Sequence, residues 1–127
     1  MNKEDLKDKI SKASYIVTQE HGTEAPFSGE LLDTKEEGIF TCVCCGNELF
    51  SSDTKYDSGT GWPSFWDVLN ENSVGEEIDK SHGMIRTEVH CQKCRAHLGH
   101  LFPDGPMPTG KRYCMNSVAM QFKKSDK

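Results

Sequence analysis

Near the start of the chain apolar residues fall at Leu6, Ile10, Ala13 and Val17, a spacing that gathers them on one helical face. It predicts a helix over 3–20, with Ser11, a good N-cap residue, offering the alternative of a second short helix that starts there. Beyond His21 the period changes to short β-rich runs cut by turn residues. Strands are predicted over 39–42, 77–79, 84–91, 97–102 and 113–122. Ser81-His82-Gly83 is placed at a hairpin tip, where glycine supplies a positive φ. From Ser51 to Ser64 the chain carries four Ser, two Gly and a Pro, and reads as a long ordered loop of the kind that carries function. The pattern as a whole predicts a mainly β, antiparallel domain with short N-terminal helices.

No internal repeat or low-complexity tract divides the 127 residues, so 1–127 is read as one domain. With 35% hydrophobic residues the core is modest, and six cysteines offer it help, either as disulfides or as metal ligands. The charged opening MNKEDLKDKI has no apolar run long enough for a signal peptide or a membrane span. That favours a cytoplasmic protein with reduced thiols and disfavours a membrane partner. A net charge of −5, with Lys and Arg dispersed, also argues against nucleic acid.

Cys42 and Cys45 form one CxxC pair, Cys91 and Cys94 another, and each pair follows a predicted strand. Two such knuckles bring four thiolates onto one tetrahedral ion, which predicts a closed structural zinc site tying together segments distant in sequence. Redox CxxC motifs or buried thiols are the competing reading, but a redox pair gives no reason for a second CxxC. Cys44 sits inside the first knuckle; Gly46 after Cys45 favours Cys45 as the ligand.

Cys114 lies outside both pairs. On a strand, Arg112, Cys114 and Asn116 share one face, and a guanidinium beside a thiol favours the nucleophilic thiolate. The segment HLGH supplies His97 and His100 as candidate proton donors. Their offset of three places them on opposite faces of a regular strand, unless Gly99 marks a bulge. Trp62, Phe65 and Trp66 stand in the glycine-rich GTGWPSFW, where an aromatic wall would suit a small sulfur-bearing group; pinning the loop to the core is the alternative for Phe65 and Trp66.

The strings CGNELF, SSDTKYDSGTGWPSF, CRAHLGHLFPDGP and TGKRYCMNS, in this order, resemble the B-type peptide-methionine (R)-S-oxide reductases over 23–122. The resemblance implies two antiparallel sheets in a barrel-like tent, with 23–122 as catalytic core behind a helical segment 1–22. It also implies a four-cysteine zinc site remote from the chemistry. It assigns Cys114 as nucleophile, Trp62 as the wall for the substrate methyl with Phe65 beside it, and His97, His100 and Asn116 as the polar shell; Arg112 and Asp104 also occupy family site positions. The implied partners are oxidised proteins or peptides containing methionine sulfoxide and thioredoxin or a similar thiol, the enzyme acting as a monomer. Many relatives carry a recycling cysteine where Thr60 stands, which leaves direct attack by an external thiol or a resolving role for Cys44. A zinc-stabilised binding module without chemistry is the rival from another class, and a zinc-ribbon nucleic-acid binder ranks below it.

Overall fold

The computed structural model describes residues 3–80 and 83–125. Two short helices open it, α1 (Lys3–Lys9) and α2 (Lys12–Glu20). Ser11 causes the break between them: its hydroxyl accepts from the Ser14 amide at 3.1 Å and caps α2, so the two-helix alternative is the one adopted. Leu6 and Val17 are buried as their spacing requires, but Ser14 and Thr18 enter the interface and Ala13 faces solvent. Thr18 can be buried because its hydroxyl donates to the Ser14 carbonyl at 2.8 Å.

The remaining chain forms two antiparallel sheets. β1 (Gly38–Cys42) lies between β2 (Glu48–Ser51) and β9 (Met120–Lys124). The larger sheet contains β3 (Lys55–Tyr56), β4 (Ser64–Phe65), β5 (Val74–Asp79), β6 (Arg86–Cys91), β7 (His97–Phe102) and β8 (Arg112–Met115). Its order is β3-β4-β8-β7-β6-β5, so both sheets are open and the barrel is not closed. Phe40, Leu49, Phe50, Phe65, Leu98 and Met115 are all fully buried in the core. Phe50 and Phe65 stack at 4.3 Å between ring centroids, and Phe40 meets Phe65 edge-on at 5.0 Å.

No predicted strand covers β2, β6 begins at Arg86 rather than at 84, and three further elements differ from the sequence expectation. The run 113–122 is two strands, because a 3-10 turn at Ser117–Ala119 carries the chain from the larger sheet to the smaller. The loop 51–64 contains β3 and meets β4, both too short to show a period. β5 starts at Val74, and the exposed Glu76 and Glu77 that disguise it suit a sheet edge, where charge discourages further pairing. At the expected hairpin tip Gly83 has φ 69°, while Ser81 and His82 lie outside the described residues.

Candidate functional site

β7 and β8 set the frame. Their register pairs His100 with Cys114 and Gly99 with Met115, while β4 places Ser64 on the other side of Cys114. The two backbones approach closely at Gly99, where a Cβ would stand 2.1 Å from the Cys114 carbonyl oxygen. The β6–β7 register steps from Val89↔Gly99 to His90↔His97, leaving Leu98 as an extra residue. This is the bulge that HLGH requires: it brings the two histidines together, ring centroids 5.4 Å apart and planes at 68°.

Each histidine is held by a carboxylate from elsewhere in the same sheet, one from the adjacent strand β6 and one from β5 beyond it. His100 Nε2 lies 2.8 Å from Asp79 on β5, and Arg86 reaches the same carboxylate at 3.5 Å. His97 Nδ1 lies 2.6 Å from Glu88 on β6, whose oxygen also meets His21 Nε2 at 3.0 Å. Burial outweighs Glu88 and holds His97 below the ordinary histidine range, so its ring is neutral. Asp79, Arg86 and Glu88 had no assigned role in the sequence. The available signal was Arg86 and Glu88, charges two apart on one face of the strand predicted over 84–91.

Cys114 is half-buried and free. Burial pushes its thiol above the ordinary value, against the opposing pull of Arg112 and a hydrogen bond with Thr60. Arg112 alone favours the thiolate, but the desolvation of the sulfur is the larger of the two effects. Arg112 is itself fixed by Asp104, Nε to Oδ1 at 2.8 Å, and lies over the Phe102 ring at 4.3 Å. Asp104 therefore acts on the site only through Arg112; its own side chain is exposed.

A pocket of about 90 Å³ opens over Cys114, lined by Thr23, Trp62, Arg86, His100, Phe102 and Asn116 among others. The segment after α2 straps it: the Glu24 carbonyl accepts from Trp62 Nε1 at 3.0 Å, and the Glu24 amide donates to Asn116 Oδ1 at 2.9 Å. Asn116 Nδ2 donates in turn to the Leu98 carbonyl at 2.9 Å. Phe65 does not join Trp62. It is fully buried, stacked on Phe50 on the other face of the sheet, so the core-pinning alternative is correct for it and it contacts no substrate.

Away from this pocket the Sγ atoms of Cys42, Cys45, Cys91 and Cys94 all lie within 4.8 Å of one another. Cys42 and Cys94 approach to 3.6 Å, as do Cys45 and Cys91. A tetrahedral ion with zinc–sulfur bonds of about 2.3 Å sets its sulfurs about 3.8 Å apart, so the donor set fits zinc. The knuckles match in backbone: the Gly46 amide donates to the Cys42 carbonyl and the Arg95 amide to the Cys91 carbonyl, with φ 81° and 65° at Gly46 and Arg95. Cys44 lies beside Cys42 and Cys94 but is not one of the converging four; its sulfur also meets Thr18 and Gln19, in line with the preference for Cys45.

The SelR domain family matches residues 10–124. A protein of Hahella chejuensis named peptide methionine sulfoxide reductase MsrB is 54% identical, over 97% of this chain and 88% of its own length. One of the same name from Escherichia coli O45:K1 is 55% identical over 94% of this chain and 87% of its own. Among solved structures, the crystal structure of the Mis18 "Yippee-like" domain matches with TM-score 0.57 and 19% identity, over 72% of this chain and all of that one, which is a likeness of fold alone.

Proposed function

The chain belongs to the SelR-domain family of B-type peptide methionine sulfoxide reductases and reduces peptide methionine (R)-sulfoxide, and from that premise we propose how its residues do so. Cys114 is the nucleophile. The observation that carries this reading is that His100 and Cys114 face each other across β7 and β8 in one small pocket walled by Trp62.

The sulfoxide enters with its methyl against Trp62 and its oxygen toward His100 and Asn116. As the Cys114 sulfur attacks, its proton passes through His100, steadied at Nε2 by Asp79, to the departing oxygen. Cys114 is oxidised by two electrons to a sulfenic acid and the sulfoxide is reduced by two to the thioether, so thiol plus sulfoxide gives sulfenic acid plus methionine. His97 stays neutral and packs against His100; Arg112, aligned by Asp104, favours ionisation of the sulfur as it reacts.

Regeneration uses an external thiol, thioredoxin or a similar reductant, which attacks the sulfenic acid and releases water. Support comes from Thr60, which offers no sulfur beside Cys114, and from Cys44, which is buried against Thr18 and Gln19 next to the knuckles. Zinc held by Cys42, Cys45, Cys91 and Cys94 supplies no chemistry to the reaction and staples β1 to β6. We read 1–127 as one cytoplasmic domain, acting as a monomer, with 23–122 as catalytic core; no helix of the described residues is long and apolar enough to cross a membrane. Family membership weighs against the binding-module reading.

An assay on the separated sulfoxide epimers of a blocked methionine, with dithiothreitol and then thioredoxin, tests the reading. The (R) epimer is consumed with both reductants. Consumption of the (S) epimer would contradict the pocket's handedness, and failure with thioredoxin would contradict the recycling route.

A further inference from the structure

Among the described residues, Met84 and Met107 stand in solvent, 50% and 82% exposed, whereas Met115 and Met120 are buried in the core. A thioether open to water is oxidised by peroxide to the sulfoxide, while a buried one is shielded. A protein that removes methionine sulfoxide thus carries two sites for that lesion on its own surface.

The two sites differ in how freely they can leave their own fold. The β5–β6 ladder reaches Asp79↔Arg86, and Met84 lies beyond it between Gly83 and Ile85, all three exposed. Gly83 takes φ 69°, and Ile85 is 77% exposed. Met107 is instead clamped between Pro106 and Pro108, whose rings fix φ. Its turn is closed by the Gly110 amide on the Pro106 carbonyl at 2.9 Å and the Gly105 amide on the Gly110 carbonyl at 3.0 Å.

The pocket over Cys114 holds about 90 Å³, room for the tip of one side chain and none of the backbone that bears it. A substrate methionine must therefore sit on a segment able to advance toward the pocket mouth. The tip at 83–85 meets this requirement, and the closed turn at Met107 does not. Arg86 lines its own chain's pocket, but Met84 is outside that lining.

We propose that Met84 is an oxidation site of this protein and that its (R)-sulfoxide is a substrate for the Cys114 pocket of a second copy. The Met84 methyl seats against Trp62 of that copy, and Ile85 rests on the apolar rim given by Trp62 and Phe102. Each step balances. Peroxide transfers one oxygen to the Met84 sulfur and leaves as water. Cys114 of the second copy takes up that oxygen as a sulfenic acid while Met84 returns to the thioether, and a dithiol then restores Cys114 and releases water. This rests on the reading of Cys114 as nucleophile and names a protein substrate for it.

The test uses the full chain carrying Cys114→Ser, which cannot turn over, oxidised with hydrogen peroxide at a dose that leaves zinc bound. Freed of peroxide, it is mixed with dithiothreitol and a catalytic amount of unoxidised wild type, and mass spectrometry of its peptides reads each methionine. Met84 and Met107 gain oxygen, and Met115 and Met120 do not. Attack on an exposed sulfur gives both epimers, so about half of the Met84 sulfoxide, the (R) share, returns to methionine, against less than about a tenth at Met107. Without wild type none returns.

The proposal is overturned if Met84 resists peroxide, if its sulfoxide persists beside wild type, or if Met107 recovers as fully as Met84. Blocked methionine (R)-sulfoxide in the same mixture separates two failures. Its reduction with Met84 sulfoxide unchanged sinks the repair between copies alone, whereas its persistence sinks the reading of Cys114 as well.

Discussion

Gly99→Ala probes the contact that sets His100 opposite Cys114. The added Cβ would lie 2.1 Å from the Cys114 carbonyl oxygen and 2.9 Å from the Met115 Cα. Both obstacles are backbone, so no side chain can rotate away, and β8 must move off β7 by about 1 Å to restore ordinary contact distances. Such overpacking costs about 1–3 kcal/mol, and one weakened ladder hydrogen bond adds about 1 kcal/mol. Taken together at about 3 kcal/mol, this lowers the thermal midpoint of a domain of this size by about 10 °C. A displacement of about 1 Å between reacting groups also lowers kcat/KM about a hundredfold. Thermal melts followed by circular dichroism, beside steady-state reduction of the blocked (R)-sulfoxide, read both effects. Wild-type melting with wild-type turnover would refute the close approach of β7 and β8 as the basis of the site.

Three further outcomes follow from the same geometry. Stripping zinc with a chelator removes binding energy on the order of 10 kcal/mol, comparable to the whole stability of a domain, so the apoprotein unfolds and elemental analysis of the intact protein gives one zinc per chain. Asp79→Asn, which weakens the hold on His100 Nε2, lowers kcat about tenfold with little change in KM; equal losses in kcat at every pH and a raised KM would assign Asp79 to substrate binding instead. His97 is kept neutral by burial below its ordinary value near 6.5, so the unfolded chain takes up a proton that the native chain refuses. Its contribution to stability is therefore complete above the ordinary histidine range and is lost as pH falls through it. Urea midpoints from pH 8 to 5.5 should decline less steeply in His97→Gln than in the wild type.

Local chemistry was the legible part of this sequence. The two CxxC pairs announce their own geometry, since a knuckle is made within a few residues, and the four sulfurs converge as that spacing requires. HLGH was readable only conditionally: two histidines three apart need a bulge to share a face, and whether Leu98 bulges depends on how β6 pairs, which no local pattern records. Pairing also decided what was missed. Glu88 and Asp79 serve the histidines because β6 lies beside β7 and β5 lies one strand further on, an order no local pattern fixes. Phe65 and Trp62 look alike in GTGWPSFW, yet the β4 register turns Phe65 into the core while the Glu24 carbonyl holds Trp62 at the pocket. The thiol of Cys114 shows the same limit, because Arg112 is visible in sequence and the opposing desolvation is not.

A single-turnover experiment decides the account most directly. With no reductant present, the enzyme is mixed with excess blocked methionine (R)-sulfoxide, and both the methionine formed and the product of dimedone trapping are quantified. The account predicts one methionine per chain and one sulfenic acid adduct, located on Cys114, with neither in Cys114→Ser. Methionine formed without an adduct on Cys114, or an adduct on Cys44 in its place, would contradict it.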